Sequence, residues 1–343
     1  MPVIHAAELK AQSQRLLLAA GCTEREANIV SEHLVESSLV GHDSHGVMRL
    51  LQYLDEIKRG EIVPGQTWNI VRDWSIGSVI DVQQVFGQVA CHDAMQLAIQ
   101  KARDHSLAAI ALRGTGHTGR LGAYVTQAAE QNMIGIVMGS GGGAGKWVAP
   151  FGGCERRIGT NPLAFGAPSG KEFPIVLDMG TSIVPEGKIR HYQQHGEAVP
   201  AAWLIDHSGQ PSTNPDTLYA NPPGAIMSLG GSAGHKGFGL AVMVDIMAGA
   251  LTGVGCIKPE EDKVTVGGGL FVMAINPSQF GDSRWLQEEI ATMTDFVNSC
   301  KPVPPIERVM VPGQFEHQQK CHREEDGIMI AETVWEKIQA LAS

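Results

Sequence analysis

A mixed α/β fold, with a central sheet flanked by helices drawn from both ends of the chain, is what this sequence predicts. Three observations carry it. Both ends read at helical period, the stretch from about 75 to 280 alternates short apolar strands with helices, and glycines gather in short loops rather than in repeats. There are 41 glycines in 343 residues. Against a usual share of about 7%, that excess points to tight backbone approaches to something bound.

Element by element, Thr23 and Glu26 form a capping box, and Ala27, Val30 and Leu34 follow at helical spacing until Gly41. Val47, Leu50, Leu54 and Ile57 give a second helical face that ends in "RGEIVPG". The texture then changes. "SVIDVQ" predicts a strand, "QVACHDAMQLAIQKARDH" a helix, "LAAIALR" a strand, "RLGAYVTQAAEQN" a helix and "IGIVM" a strand. "FPIVLDM" and "GLFVMAIN" are two further strands, with the small-residue helix "HKGFGLAVMVDIMAGALTG" between them. The tail, "WLQEEIATMTDFVN" and "AETVWEKIQALA", returns to helix. Residues 183–232, rich in Pro, Gly and Ser, predict an ordered excursion across the surface. The expected division is a helical domain of residues 1–75 plus 281–343 and an α/β domain of residues 76–280.

Net charge is −10, which argues against nucleic acid or an anionic membrane as partner, since both demand basic patches. An anionic small substrate stays open if its site holds cations of its own. The six cysteines form no C-x-x-C pair, so neither a disulfide framework nor a zinc knuckle is expected, and a reducing cytoplasm is the simpler setting. The first residues lack the pattern of a signal peptide, and no apolar run nears the ~20 residues of a membrane span.

"GTGHTG", residues 114–119, satisfies the G-x-G-x-x-G of a dinucleotide-binding loop. That fingerprint also needs an acid about 20 positions on, at the end of the next strand. Here "IGIVM" runs instead into Gly139, Ser140 and three more glycines. That second loop fits G-x-G-x-x-A from Gly139 to Ala144 but lacks the acid too. A Rossmann fold is therefore not expected, and the first turn reads as a device that presents His117.

Other clusters look chemical. In "GHDSHGVMRL", a cap at Asp43 or Ser44 would start a helix with His45 and Arg49 on one face. A guanidinium can clamp a carboxylate by paired hydrogen bonds while an imidazole passes a proton to the neighbouring oxygen. A plain polar cap is the alternative reading, and His42, Asp43 and His45 could also hold a metal. Asp178 ends the strand "FPIVLDM", where it could orient a histidine, bind a ribose or cap the next element. Lys236 in "GHKGFGL" could meet a phosphate or carboxylate or simply sit on the surface. "RVMVPGQFE" reads as a Pro-Gly turn after a short strand.

Taken in order, "GHDSHGVMRL", "GHTGRLGAY", "VAPFGGCERRIGTNPLAFGAP", "LDMGTS", "GKIR", "HKGFGLAVMVDIMAGALTG" and "VPGQFE" resemble the type-2 malate/L-lactate dehydrogenase family. The resemblance implies a non-Rossmann fold whose α/β domain binds NAD or NADP and substrate, and a homodimer with sites near the subunit interface. It implies a proton donor at His45 supported by Ser44 and Asp178, or at His117, with Arg49 and Thr160 on the substrate. Cofactor contacts carry over to His117, Thr118, Gly119, Arg120 and Leu121, to Ser140, and to Asp178, Met179, Gly180 and Thr181. His235, Lys236, Pro312, Gly313 and Gln314 complete that set. One departure is the longer loop "GSGGGAGKW", which leaves the role of Lys146 open. The implied reaction is hydride transfer between a nicotinamide cofactor and a small 2-hydroxy or 2-oxo acid, with Asp178 raising the histidine pKa. Reduction of a cyclic imine carboxylate is the nearest alternative. A metal-dependent hydrolase using His42, Asp43, His45 and His117 and a nicotinamide-binding sensor are more distant ones.

Overall fold

The structure is a computed structural model that describes residues 1–141, 145–259 and 267–342. A short strand, β1 (Val3–Ile4), opens the chain, followed by α1 (Ala6–Ala19), α2 (Glu24–Leu39) and α3 (Leu50–Lys58). The capping box forms as expected: Glu26 N donates to Thr23 Oγ1 at 3.2 Å, and Thr23 N donates to Glu26 Oε2 at 2.8 Å. An edge hairpin, β2 (Asn69–Trp74) and β3 (Gly77–Asp81), leads through α4 (Gly87–His105) to β4 (Leu107–Thr115). Next come α5 (Gly122–Glu130), β5 (Ile134–Ser140), β6 (Leu163–Ala167) and β7 (Ile175–Met179). After α6 (Glu186–His195) the chain makes the short strands β8 (Leu204–Ile205), β9 (Pro211–Ser212) and β10 (Ala225–Ile226). It then enters α7 (Gly234–Asp245), which runs on into a π-helical turn, Ile246–Ala250. Last are β11 (Gly268–Ile275), α8 (Ser283–Asn298), α9 (Gln314–Asp326), β12 (Ile328–Met329) and α10 (Glu332–Ala342).

The main sheet has seven strands in the order β2-β3-β4-β11-β5-β6-β7. Only β3 and β4 pair in parallel, joined by the crossover helix α4; every other pair is antiparallel. A dinucleotide-binding Rossmann sheet sets its first strands side by side in parallel. Here β11 is inserted antiparallel between β4 and β5, so the expected departure from that fold holds. One apolar cluster runs from Leu9, Leu17 and Leu34 through Ile110 and Val272 to Trp335 and Ile338. Helices from both termini and the sheet thus share one core, and β1 pairs with β12 to tie the two ends together.

Several local expectations need correction. Residues 183–232 are more than a surface excursion. They hold α6 and a three-stranded sheet, β10-β8-β9, over an apolar cluster of their own that includes Val184, Ile189, Val199 and Leu204. The short strand expected before the Pro-Gly turn is absent, and α9, unforeseen, follows that turn. The helix expected to carry His45 and Arg49 begins only at Leu50. Before it lie two 3₁₀ turns, Asp43–His45 and Val47–Arg49, separated by Gly46, and neither Asp43 nor Ser44 caps a helix.

Candidate active site

The 42–49 segment is held in place from two sides. A Cβ at Gly46 would lie 2.0 Å from Ser38 Oγ, so only glycine lets the turn sit against α2. Ser38 Oγ in turn accepts from Val47 N at 3.1 Å. From outside, α9 grips the turn: Glu316 reaches His42 at 3.5 Å, and Arg323 pairs with Asp43 at 2.7 Å. His45 therefore emerges from a turn built by both termini of the chain.

His117 lies in the loop between β4 and α5, and its ring stacks on that of His45, with centroids 5.5 Å apart and planes 10° apart. Ser44 Oγ is 3.1 Å from His45 Nδ1, and Tyr53 Oη is 2.7 Å from His117 Nδ1. Arg49 donates from Nε to the Ser44 carbonyl at 2.7 Å and from Nη1 to Gln52 Oε1 at 2.6 Å. Both rings are pushed towards the neutral form. Burial, then His117 and Arg49, lower the His45 pKa to about 3. Burial and Arg49 lower that of His117 to about 4.

Two cavities meet at this pair. One, of about 390 Å³, is lined by His42, Ser44, His45, Gly119, Arg120, Leu121, Thr160, Asp178, Met179 and Gly180, among others. The other, of about 370 Å³, is lined by Thr115, Gly116, His117, Thr118, Ser140, Trp147, Thr160, Asn161, Leu270 and a further run of glycines. Thr160 and Pro162 belong to both walls. Thr160 is fixed there because its carbonyl accepts from the backbone and the hydroxyl of buried Thr181, at 2.8 and 3.0 Å.

Asp178 corrects an expectation. Its Oδ2 accepts from Gly122 N at 2.6 Å, at the start of α5, and neither histidine ring is its partner. Burial raises its own pKa, against the pull of that hydrogen bond, Arg120 and His42. It caps a helix and lines the cavity; it does not raise the histidine pKa values, which move the other way. Buried Arg120 pairs with Glu36 at 2.5 Å, and its Nε has no hydrogen-bond partner among the described residues. Its backbone N donates to His33 Nε2 at 3.0 Å, which anchors the loop to α2.

The structure does not gather every residue carried over. Arg49 lines neither cavity, although it bears electrostatically on both rings. His235 and Lys236 are exposed at the start of α7, with His235 against Phe151 at 5.6 Å. Pro312, Gly313 and Gln314 pack on β7, where Val176 N donates to the Pro312 carbonyl at 3.2 Å. Ser140 lines the glycine cavity while its hydroxyl donates to Asp245 at 2.6 Å. Of the "GSGGGAGKW" loop, and of the fit from Gly139 to Ala144, residues 142–144 lie outside the described residues. Among the described residues no group of three His, Cys, Asp or Glu side chains could hold a metal ion, and Glu316 and Arg323 engage His42 and Asp43. Sequence reasoning missed Tyr53 and Gln88, which sit among apolar helix positions. The only available signal was that a buried phenol must find a partner.

The fold is a non-Rossmann α/β fold, and the site sets paired imidazoles between a glycine-walled cavity and a charged one. The malate/L-lactate dehydrogenase family matches residues 4–339, and the chain belongs to that family, whose chemistry is hydroxy-acid oxidoreduction. It is 35% identical over 334 residues to the malate dehydrogenase of Pyrococcus horikoshii, covering 96% of this chain and 91% of that protein. The crystal structure of malate dehydrogenase from Entamoeba histolytica superposes with a TM-score of 0.93 at 29% identity, covering 99% of this chain and 97% of that one. The Δ1-piperideine-2-carboxylate reductase of Pseudomonas syringae superposes with a TM-score of 0.84 at 26% identity, covering 99% and 100%.

Proposed function

We propose that this protein interconverts a small 2-hydroxy acid of the malate and lactate type and its 2-oxo acid, using NAD or NADP. The observation that carries this reading is the stacked His45–His117 pair at the junction of the two cavities.

The glycine-walled cavity fits a flat, uncharged ring. Among the described residues its lining includes no Asp, Glu, Lys or Arg, and Trp147 and Leu270 offer apolar surface. The neighbouring cavity supplies polar groups, among them the Arg120 guanidinium with its orphaned Nε. Residues 117–121, Ser140, Thr160 and 178–181 would hold the cofactor, with His235, Lys236 and residues 312–314 further out. When bound, the nicotinamide ring accepts or donates the hydride at C2 of the acid. Arg49 binds the substrate carboxylate, and an anion beside it offsets the positive charge that, after burial, holds the rings neutral. An imidazole nitrogen then takes the hydroxyl proton during oxidation and returns it during reduction. General acid-base work of this kind contributes about 10²–10⁴-fold.

A homodimer, a cytoplasmic setting and the division into residues 1–75 plus 281–343 and residues 76–280 form part of the same proposal. No helix among the described residues is long and apolar enough to cross a membrane. A second reading, reduction of a cyclic imine carboxylate, is supported by the likeness to the piperideine carboxylate reductase. It keeps the carboxylate clamp and changes only the atom that receives the proton. Turnover of malate, lactate, sulfolactate and a cyclic imine acid, each with NAD and NADP and with or without chelator, tests both. Activity on a 2-hydroxy acid that survives chelation is expected. Failure on every acid would sink the first reading, and activity confined to the imine would select the second.

A further inference from the structure

We propose that Tyr53, itself held by Gln88, fixes the tautomer of His117 so that its Nε2 carries the hydrogen, leaving His45 as the ring that exchanges a proton with substrate. This rests on the hydroxy-acid reading above and divides labour between two histidines that the sequence left equivalent.

The inference starts from donors and acceptors. Gln88 Nε2 lies 2.5 Å from Tyr53 Oη, and an amide nitrogen can only donate. The phenol oxygen accepts that hydrogen and keeps its own to give. The atom in reach is His117 Nδ1, 2.7 Å away. A ring that accepts at Nδ1 and is neutral bears its hydrogen on Nε2. Both Tyr53 and Gln88 are fully buried; among the described residues the Gln88 amide is held through Nε2, and its Oε1 has no hydrogen-bond partner. Burial also holds the phenol well above its ordinary pKa, so it stays a donor.

Three consecutive residues at the start of α4 serve this chain of bonds. Phe86 packs its edge on the Tyr53 ring, with centroids 6.2 Å apart and planes at 89°. Gly87 lets the helix start pass under the loop, since a Cβ there would lie 2.4 Å from the His117 carbonyl oxygen. Gln88 supplies the donor. His45 has no such constraint. Its Nδ1 faces the hydroxyl of Ser44, exposed and able to donate or accept. When Ser44 accepts, Nε2 of His45 is bare. During oxidation the substrate O–H bond then breaks and an N–H bond forms on His45, as the hydrogen at C2 leaves with its electron pair as described above. His117 offers a fixed N–H to a substrate oxygen. Tyr53 and Gln88 are positioning residues.

The test begins on the unaltered full-length protein, labelled with ¹⁵N at histidine. Long-range ¹H–¹⁵N spectra at neutral pH are expected to show His117 protonated at Nε2 and bare at Nδ1. A His117 resonance protonated at Nδ1 overturns the proposal without touching the assignment of the reaction. In Y53F the His117 signals should move to a mixture of tautomers, and kcat/KM should fall by about tenfold, the scale of one buried hydrogen bond. H117Q keeps an N–H near the place of Nε2, so kcat should fall by no more than about tenfold, whereas H45Q should lose about 10²–10⁴-fold. The reverse ranking refutes the division of labour. Failure of the unaltered enzyme on every hydroxy acid refutes the underlying function instead.

Discussion

The two cavities that meet at the histidine pair are built on opposite plans. One is lined by His42, His45, Arg120 and Asp178, and every one of these is tied to a neighbour: His42 to Glu316, His45 to Ser44, Arg120 to Glu36, Asp178 to Gly122. The other has, among the described residues, no titratable group but His117 and is walled largely by glycine backbone. Charge works in the first because burial makes it strong and its partners hold it still. Shape works in the second because the absence of Cβ atoms lets a flat ligand approach the main chain. Damage should therefore register as lost chemistry on one side and as lost fit on the other.

Replacing Arg49 by Leu should have the largest effect on substrate binding. A charge-assisted hydrogen bond is worth about 1.5–3 kcal/mol, so KM for the acid should rise by about 10- to 100-fold with KM for the cofactor little changed. An unchanged acid KM would remove Arg49 from the carboxylate-binding role.

Acid should reveal the same side next. Both ring pKa values lie below the ordinary imidazole value of 6.5, at about 3 and 4, lowered by burial, Arg49 and, for His45, also by His117, His42 and Arg120. The unfolded chain thus binds protons near 6.5 that the fold refuses. This contribution to stability is present above 6.5 and is lost as pH falls through the folded values. Denaturant midpoints should drop between pH 6.5 and 4, and less so in H117Q. Values of kcat/KM for oxidation, which report the free enzyme, should stay flat down to about pH 5. A fall centred near 6.5 would show that the rings are not held neutral.

Two glycines of the other cavity sharpen the contrast most finely. A Cβ at Gly268 would stand 2.5 Å from the Ser140 carbonyl oxygen, so G268A should cost about 1–3 kcal/mol of stability. At Gly116 nothing lies within 4 Å of the added carbon. G116A should leave the melting temperature in place, as surface changes within about 0.5 kcal/mol do, while KM for the cofactor rises a few-fold. Equal thermal losses in the two variants would contradict the description of this wall.

Much of this was legible from residues whose signals are local. Thr23 and Glu26 announce a helix start because a capping box closes within four residues. "LAAIALR" announces a strand because its burial repeats within seven. The stacked histidines come from motifs at 41–50 and 114–119, each readable where it stands. What was illegible depends on partners far away in the chain. Tyr53 shares its helix face with Leu50 and Leu54 and reads as core, because its bond to His117 spans 64 positions. Asp178 read equally as a partner for histidine, a ribose ligand or a cap for the next element, because no spacing announces Gly122. The helix α9 escaped notice because "QFEHQQKCHREED" is polar all round and buries none of its residues. The strand β6, "LAFGA", was hidden by small side chains that carry little β preference.

The insertion of β11 between β4 and β5 has a consequence for how the molecule comes into being. Until the chain has been made through Gly268–Ile275, the two strands that will flank it must wait, each with a row of unanswered amides and carbonyls. A nascent chain released early would present two sticky borders where the finished protein has a seam. Closure is thus reserved for a late arrival, and the cradle around His117, which shares Gly267 and Gly268 with that strand's beginning, cannot take shape before it.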